Sequence, residues 1–204
     1  MIRNMVFDMG RVLLDYDPVG VCRHYTEDES AIGIIRRELF ESEEWRLLDL
    51  GAIGEEEALK RVFRRLPEES LKILARKSLE HWHEFNLTPK PGMGELVREL
   101  KERGLGIYLC SNASLRLRVF EWMIPGIECF DGTLVSAEER LVKPDPAIYQ
   151  RLFEKFSLKP EECFFIDDLS ANIAGAERCG MEGYCFFDGD VGRLRKILRE
   201  RGIL

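Results

Sequence analysis

Apolar residues fall in two patterns along the chain. Short unbroken runs occur at "NMVF" (4–7), "GIYLC" (106–110), "CFFI" (163–166) and "YCFF" (184–187), with a weaker one at "GTLVS" (132–136). Runs of this length with no polar alternation predict strands buried on both faces. Between them the apolar residues recur at helical spacing. In "GELVRELKERG" Leu96, Val97 and Leu100 share a face and Gly104 supplies a stop. In "PAIYQRLFEKF" Ile148, Leu152, Phe153 and Phe156 do the same, with Pro146 near the start. "ANIAGAERCG" and "VGRLRKILRERG" complete the set. Strand–helix alternation over 90–204 predicts an α/β fold, a doubly wound parallel sheet with helices on both faces.

Residues 18–87 read differently. They hold no convincing strand run, and "AIGIIRRELF", "EEEALKRVFRRL" and "ESLKILARKSLEHW" are helical in period. Glycines 51 and 54 and Pro67 punctuate them. The expected organisation is therefore a core of 1–17 and 88–204, with a helical insertion over 18–87.

In open α/β sheets, ligands sit beyond the carboxyl ends of the strands. The residues found there are Asp8, then Ser111 and Asn112, then Asp167 and Asp168, with Lys143 in the loop "LVKPDP". Carboxylates brought together in this way repel unless a cation joins them. Oxygen ligands with no sulfur or imidazole point to Mg2+, which also takes a phosphate oxygen. Lys143 offsets further negative charge, and Ser111 and Asn112 offer donors to a phosphoryl group. A carboxylate beside a metal and a lysine is able to attack phosphorus. Asp8, fixed by its strand, is best placed to do so.

Composition narrows the partners. The 204 residues are 45% hydrophobic and 33% charged, with a net charge of −7, ordinary for a globular protein. No polybasic patch stands out, so neither nucleic acid nor an anionic membrane is an expected partner. No apolar run approaches a membrane span and no secretory signal is evident. The six cysteines have no C-x-x-C spacing and read as reduced thiols of a cytoplasmic protein. His81 and His83 do not share a helical face and read as surface or core residues. A monomer or weak homo-oligomer is expected.

The order of these segments resembles the haloacid dehalogenase-like superfamily. "VFDMGRVLLDYD", "YLCSNAS", "LVKPDPAIY" and "FFIDDLSANIAGA" look like its four motifs, and 18–87 resembles the helical C1 cap of one branch. The resemblance implies a Rossmann-like core and a Mg2+-dependent phosphatase acting on a small phosphorylated metabolite. It makes Asp8 the nucleophile and Lys143 the bridge between nucleophile and phosphate. It makes Ser111 and Asn112 phosphate ligands. Asp8, Asp168, Asp167 and the backbone carbonyl of Gly10 would hold the metal, Asp167 directly or through water. Asn172 would steady the metal's waters.

Gly10 departs from the pattern. Most phosphatases of the superfamily carry a second Asp there, which protonates the leaving oxygen and then activates water. General acid/base help of this kind is worth ~10²–10⁴-fold. Three accounts are open. The substrate needs little help, as a sugar 1-phosphate or acyl phosphate would, in line with a resemblance to α-D-glucose-1-phosphate phosphatase-like members with "D-x-G". Or another acid substitutes, Asp15, Asp17 or one of the cap's many Glu residues. Or the chain is a weak enzyme that binds phosphorylated ligands. A metal-independent 2-haloacid dehalogenase is a further reading. In the cap, "LLDLGAIGEEEAL" (47–59) resembles a recurring turn. Trp45, Trp82 and Phe85 are either pocket walls or cap core, and Arg46 meets either substrate or a cap Glu.

Overall fold

A computed structural model describes all 204 residues. Five strands form one parallel sheet: β1 (Asn4–Phe7), β4 (Gly106–Ser111), β5 (Gly132–Val135), β6 (Cys163–Asp167) and β7 (Glu182–Cys185), in the order β5-β4-β1-β6-β7. Two more, β2 (Leu14–Tyr16) and β3 (Leu87–Pro89), pair with each other as an antiparallel ribbon. The first strand lies at the centre. From it the chain builds outward to β4 and β5 on one side and to β6 and β7 on the other. Its carboxyl end is thus the switch point at which such sheets open a crevice.

Side chains alternate across this sheet, as strand geometry requires. Met5 and Phe7 enter the larger of two buried clusters, and Val6 enters the smaller. Helices α9 (Pro146–Phe156) and α10 (Ser170–Arg178) cover the Val6 face through Ile148, Leu152 and Ile173. Helices α6 (Met93–Glu102) and α11 (Val191–Glu200) cover the other through Leu96, Leu100, Leu194 and Leu198. Burying one such side chain contributes roughly 1.5–3 kcal/mol. The start of α9 is set by Asp145, whose carboxylate accepts from the Ala147 N–H, followed by Pro146 in the first turn.

Between β2 and β3 the chain is helical: α1 (Gly20–Tyr25), α2 (Glu29–Ile35), a π-turn over Arg36–Phe40, α3 (Glu43–Asp49), α4 (Glu55–Phe63) and α5 (Glu69–Phe85). Two shorter helices, α7 (Leu117–Phe120) and α8 (Ser136–Glu139), follow β4 and β5. Sequence reasoning missed the β2–β3 ribbon. It also put the last strand at 184–187, whereas β7 spans Glu182–Cys185. Phe186 is buried just beyond the strand's end and its N–H still donates to the Asp167 carbonyl at 2.8 Å, whereas Phe187 is exposed, so the apolar run overshoots the strand. All six cysteines are free. His81 pairs with Glu84 at 2.8 Å on the surface, and His83 stacks on Phe120.

Candidate active site

The register places Phe7 between Leu109 and Ile166. The next residue, Asp8, therefore emerges where three strands end together. Its backbone N–H still donates to the Ile166 carbonyl at 2.9 Å, so the carboxylate is carried on a fixed main chain. Lys143 reaches it from the loop before α9. The Lys143 Nζ lies 2.8 Å from Asp8 Oδ1 and 2.7 Å from Asp167 Oδ2. Both Lys143 and Asp167 are almost wholly buried. One ammonium thus serves two acids. Burial opposes the lysine's charge, but the two carboxylates overcome it and hold Lys143 above its ordinary range. Asp8 has to share that cation with Asp167. Burial therefore dominates and pushes its carboxyl up to about 6, against the pull of Lys143.

Asp168 completes the cluster. Carboxylate oxygens of Asp8, Asp167 and Asp168 lie within 4.8 Å of one another. Three ionised acids outnumber the one ammonium bonded to them, and even with the charge of Arg11 acting on Asp168 the cluster keeps a negative excess. The oxygen-only donor set and that excess both fit a hard divalent cation. The three acids are not equivalent. Asp167 already accepts from Lys143, from Asn172 Nδ2 at 2.9 and 3.0 Å, and from the Leu169 N–H at 2.9 Å. Asp168 is half-buried, and its carboxyl is raised by burial and by the neighbouring charge of Asp167. Asn172 thus acts on Asp167, and Tyr149 fixes it from behind by donating to its carbonyl at 2.7 Å.

Ser111 and Asn112, grouped together in the sequence reading, do different things. Ser111 ends β4 and lines the cavity above Asp8. Asn112 also lines it, but its side chain grips the lysine loop. Its Nδ2 donates to the Lys143 carbonyl at 3.0 Å, and its Oδ1 accepts from the Lys143 N–H at 2.8 Å. Gly10 lines the same cavity, and a Cβ built on it would meet nothing within 4 Å.

The cavity measures about 220 Å3. Its floor is Asp8, Met9, Gly10 and the loop Ser111–Ser114; its walls include Tyr16, Phe40, Trp45, Trp82, Leu87 and Phe120. The rings form a continuous chain. Phe40 and Trp45 are 4.9 Å apart, Trp45 and Trp82 5.3 Å, and Trp82 and Phe120 5.3 Å between centroids. Trp45 and Trp82 are pocket walls and at the same time belong to or pack on the buried core, whereas Phe85 packs on that core and stacks on His24 away from the cavity. Arg46 lines a neighbouring cleft with Glu43, Asn112 and Lys143. Neither acid considered as a stand-in for position 10 reaches the cavity. Asp15 pairs with Lys90, and Asp17 accepts from the Val19 N–H at 3.0 Å at the start of α1. One carboxylate that sequence reasoning did not single out does line the cavity: Asp49, at the end of α3.

A family model described as haloacid dehalogenase-like hydrolase matches residues 2–180. The chain belongs to the haloacid dehalogenase-like hydrolases. Among relatives of this hydrolase, the sesquiterpene phosphatase astK of Aspergillus oryzae is 27% identical over 186 residues, 87% of this chain and 86% of that protein. Among solved structures, a predicted HAD-like family hydrolase from Porphyromonas gingivalis aligns with a TM-score of 0.76 and 25% identity over 98% of both chains. A wild-type HAD family enzyme from Bacteroides thetaiotaomicron, in complex with magnesium and inorganic phosphate, shares the fold. Its TM-score is 0.66, with 22% identity over 90% of this chain and 93% of that one.

Proposed function

We propose that this hydrolase is a Mg2+-dependent phosphatase of small phosphomonoesters, working through an aspartyl-phosphate on Asp8. The observation that carries the reading is the buried Lys143, held between Asp8 and Asp167 at the floor of an apolar cavity. Asp8 attacks phosphorus in line with the leaving oxygen. Lys143 keeps the attacking carboxylate oriented and offsets charge on the phosphoryl oxygens. Ser111 donates to one of those oxygens, and Asn112 holds the loop that delivers Lys143. Asp8, Asp168 and the Gly10 carbonyl would hold the cation, with Asp167 behind them. When bound, Mg2+ supplies electrostatic stabilisation of the phosphoryl group. The helical segment 18–87 acts as a cap that supplies most of the walls and excludes water.

The walls bear on the substrate. A cavity of about 220 Å3 is below the ~300–1,000 Å3 of pockets for drug-sized ligands, so the ester is compact. Five aromatic side chains, Tyr16, Phe40, Trp45, Trp82 and Phe120, favour an apolar or ring face on the leaving group. We therefore place such esters ahead of polar sugar phosphates, the class favoured by the sequence reading. The negative excess of the acid cluster speaks for a cation, and so for phosphate chemistry over metal-free dehalogenation.

The test is phosphate release from aryl, alkyl, sugar and acyl phosphates, with Mg2+ or with EDTA, for wild type and Asp8→Asn. Release that needs Mg2+ and vanishes in Asp8→Asn is expected. Failure to release phosphate from any of these would overturn the proposal in favour of a phospho-ligand binder. Halide release from 2-haloacids that EDTA leaves unchanged would overturn it in favour of a dehalogenase.

A further inference from the structure

The proposed reaction needs a proton on the leaving oxygen, and Gly10 has no side chain to give one. The other acids near Asp8 are committed. Asp167 is saturated by Lys143, Asn172 and the Leu169 N–H, and Asp168 belongs to the cation cluster. Asp15 and Asp17 face elsewhere.

Asp49 is different in each respect. It lines the cavity together with Asp8, Gly10 and Ser111. No ion pair engages it. It is the last residue of α3, where the negative end of the helix disfavours an anion. It is partly buried, and its open part lines both the cavity and an adjoining cleft. Burial pushes its carboxyl up to about 8, the nearby charge of Asp8 adds to the rise, and the Ser114 N–H opposes it. Tyr16 faces it from β2, and Glu43, Arg46 and Lys143 line the adjoining cleft. Its main chain is tied to the floor of the site. The Ser136 hydroxyl donates to the Asp49 carbonyl and accepts from the Ala113 N–H at 2.9 Å, within the Ser111–Ser114 loop.

We propose that Asp49 is the general acid and then the general base of this site, acting from the helical segment in place of a side chain at position 10. The inference rests on the phosphatase reading. In the first step a bond forms between an Asp8 oxygen and phosphorus, and the bond from phosphorus to the leaving oxygen breaks. Protonated Asp49 gives its proton to that oxygen, and the alcohol departs. In the second step the Asp49 carboxylate takes a proton from water as the water oxygen bonds to phosphorus. The bond to Asp8 breaks, inorganic phosphate leaves, and both acids return to their starting forms.

The test compares wild type with Asp49→Asn on two esters, p-nitrophenyl phosphate and an alkyl phosphate, in Mg2+. Nitrophenolate leaves without a proton, whereas an alkoxide does not. The variant should lose ~10²–10⁴-fold in kcat/KM on the alkyl ester and less than about tenfold on the nitrophenyl ester. Its nitrophenyl kcat should still fall, with a burst of nitrophenol as phosphorylated Asp8 accumulates. The ratio of the two kcat/KM values in one sample cancels any loss of folded protein. An unchanged ratio, whether both rates fall or neither does, would overturn the role. If wild type hydrolyses neither ester, the phosphatase reading fails first and takes this role with it. That result is separable, because it appears before any variant is made.

Discussion

Lys143 is a single buried cation answering two buried acids, so its removal should cost more than catalysis. Lys143→Met leaves Asp8 and Asp167 facing each other without compensation. A loss of about 3–5 kcal/mol is expected from such a broken pair, read by urea denaturation in EDTA. Gly10 makes the opposite prediction. Its missing Cβ points into open space, so Gly10→Asp should fold normally. If the missing acid limits the enzyme, it should also raise kcat/KM on alkyl phosphates and reduce the penalty of Asp49→Asn. Asp49 further carries a stability signature. Its folded-state carboxyl titrates near 8 against an ordinary 3.8. Between those values the folded protein keeps a proton that the unfolded chain has released. Stability conferred by this group is full below about pH 4 and is lost as pH rises through about 8. In EDTA the melting temperature of Asp49→Asn should therefore gain on wild type across that window and hold its advantage above it. Most of the site was legible because a lone acid ending an apolar run is conspicuous, as in "MVFD". Asp49 sits in a similar setting, "LLDL". It went unnoticed because one sequence does not show which side chains of a charged helical segment turn inward.

The placement of Asp49 depends on how α3 ends. Gly51 has φ +67°, and a Cβ there would lie 2.2 Å from the Ala137 carbonyl oxygen at α8. Strained backbone of this kind costs of order 1–3 kcal/mol, before the clash is counted. Gly51→Ala should lower stability by at least that much and weaken activity on alkyl esters, by thermal melting and by kcat/KM respectively. The long helices and central strands were readable from period and unbroken burial. The β2–β3 ribbon was not. Each of its strands has three residues, too few to show alternation. Their pairing joins Leu14 to Pro89 and Tyr16 to Leu87, across a separation that no local pattern records.

For the molecule as a whole, the uncompensated negative charge at the strand ends should make stability depend on cations. Mg2+ binds the folded arrangement and not the dispersed acids of the unfolded chain, so it should raise the melting temperature in proportion to the logarithm of its concentration. Asp168→Asn should blunt that rise. Differential scanning fluorimetry across a Mg2+ series, with Ca2+ and EDTA for comparison, reads both.

The two strands of the ribbon have a consequence for how such a hydrolase diversifies. The chain leaves the sheet region along β2 and returns along β3, side by side. The intervening helices are therefore joined covalently at a single narrow neck, while contacts such as Glu55 with Arg116 and Asp49 with Ser136 seat them on the core. A different helical module spliced between Tyr16 and Leu87 would meet the same two ends and leave the order of the parallel sheet untouched. With Asp49 carried on that module, the graft would import a new proton donor along with a new pocket shape. Exchange at one neck would then reset both which alcohols fit and how reluctant a leaving group the enzyme tolerates.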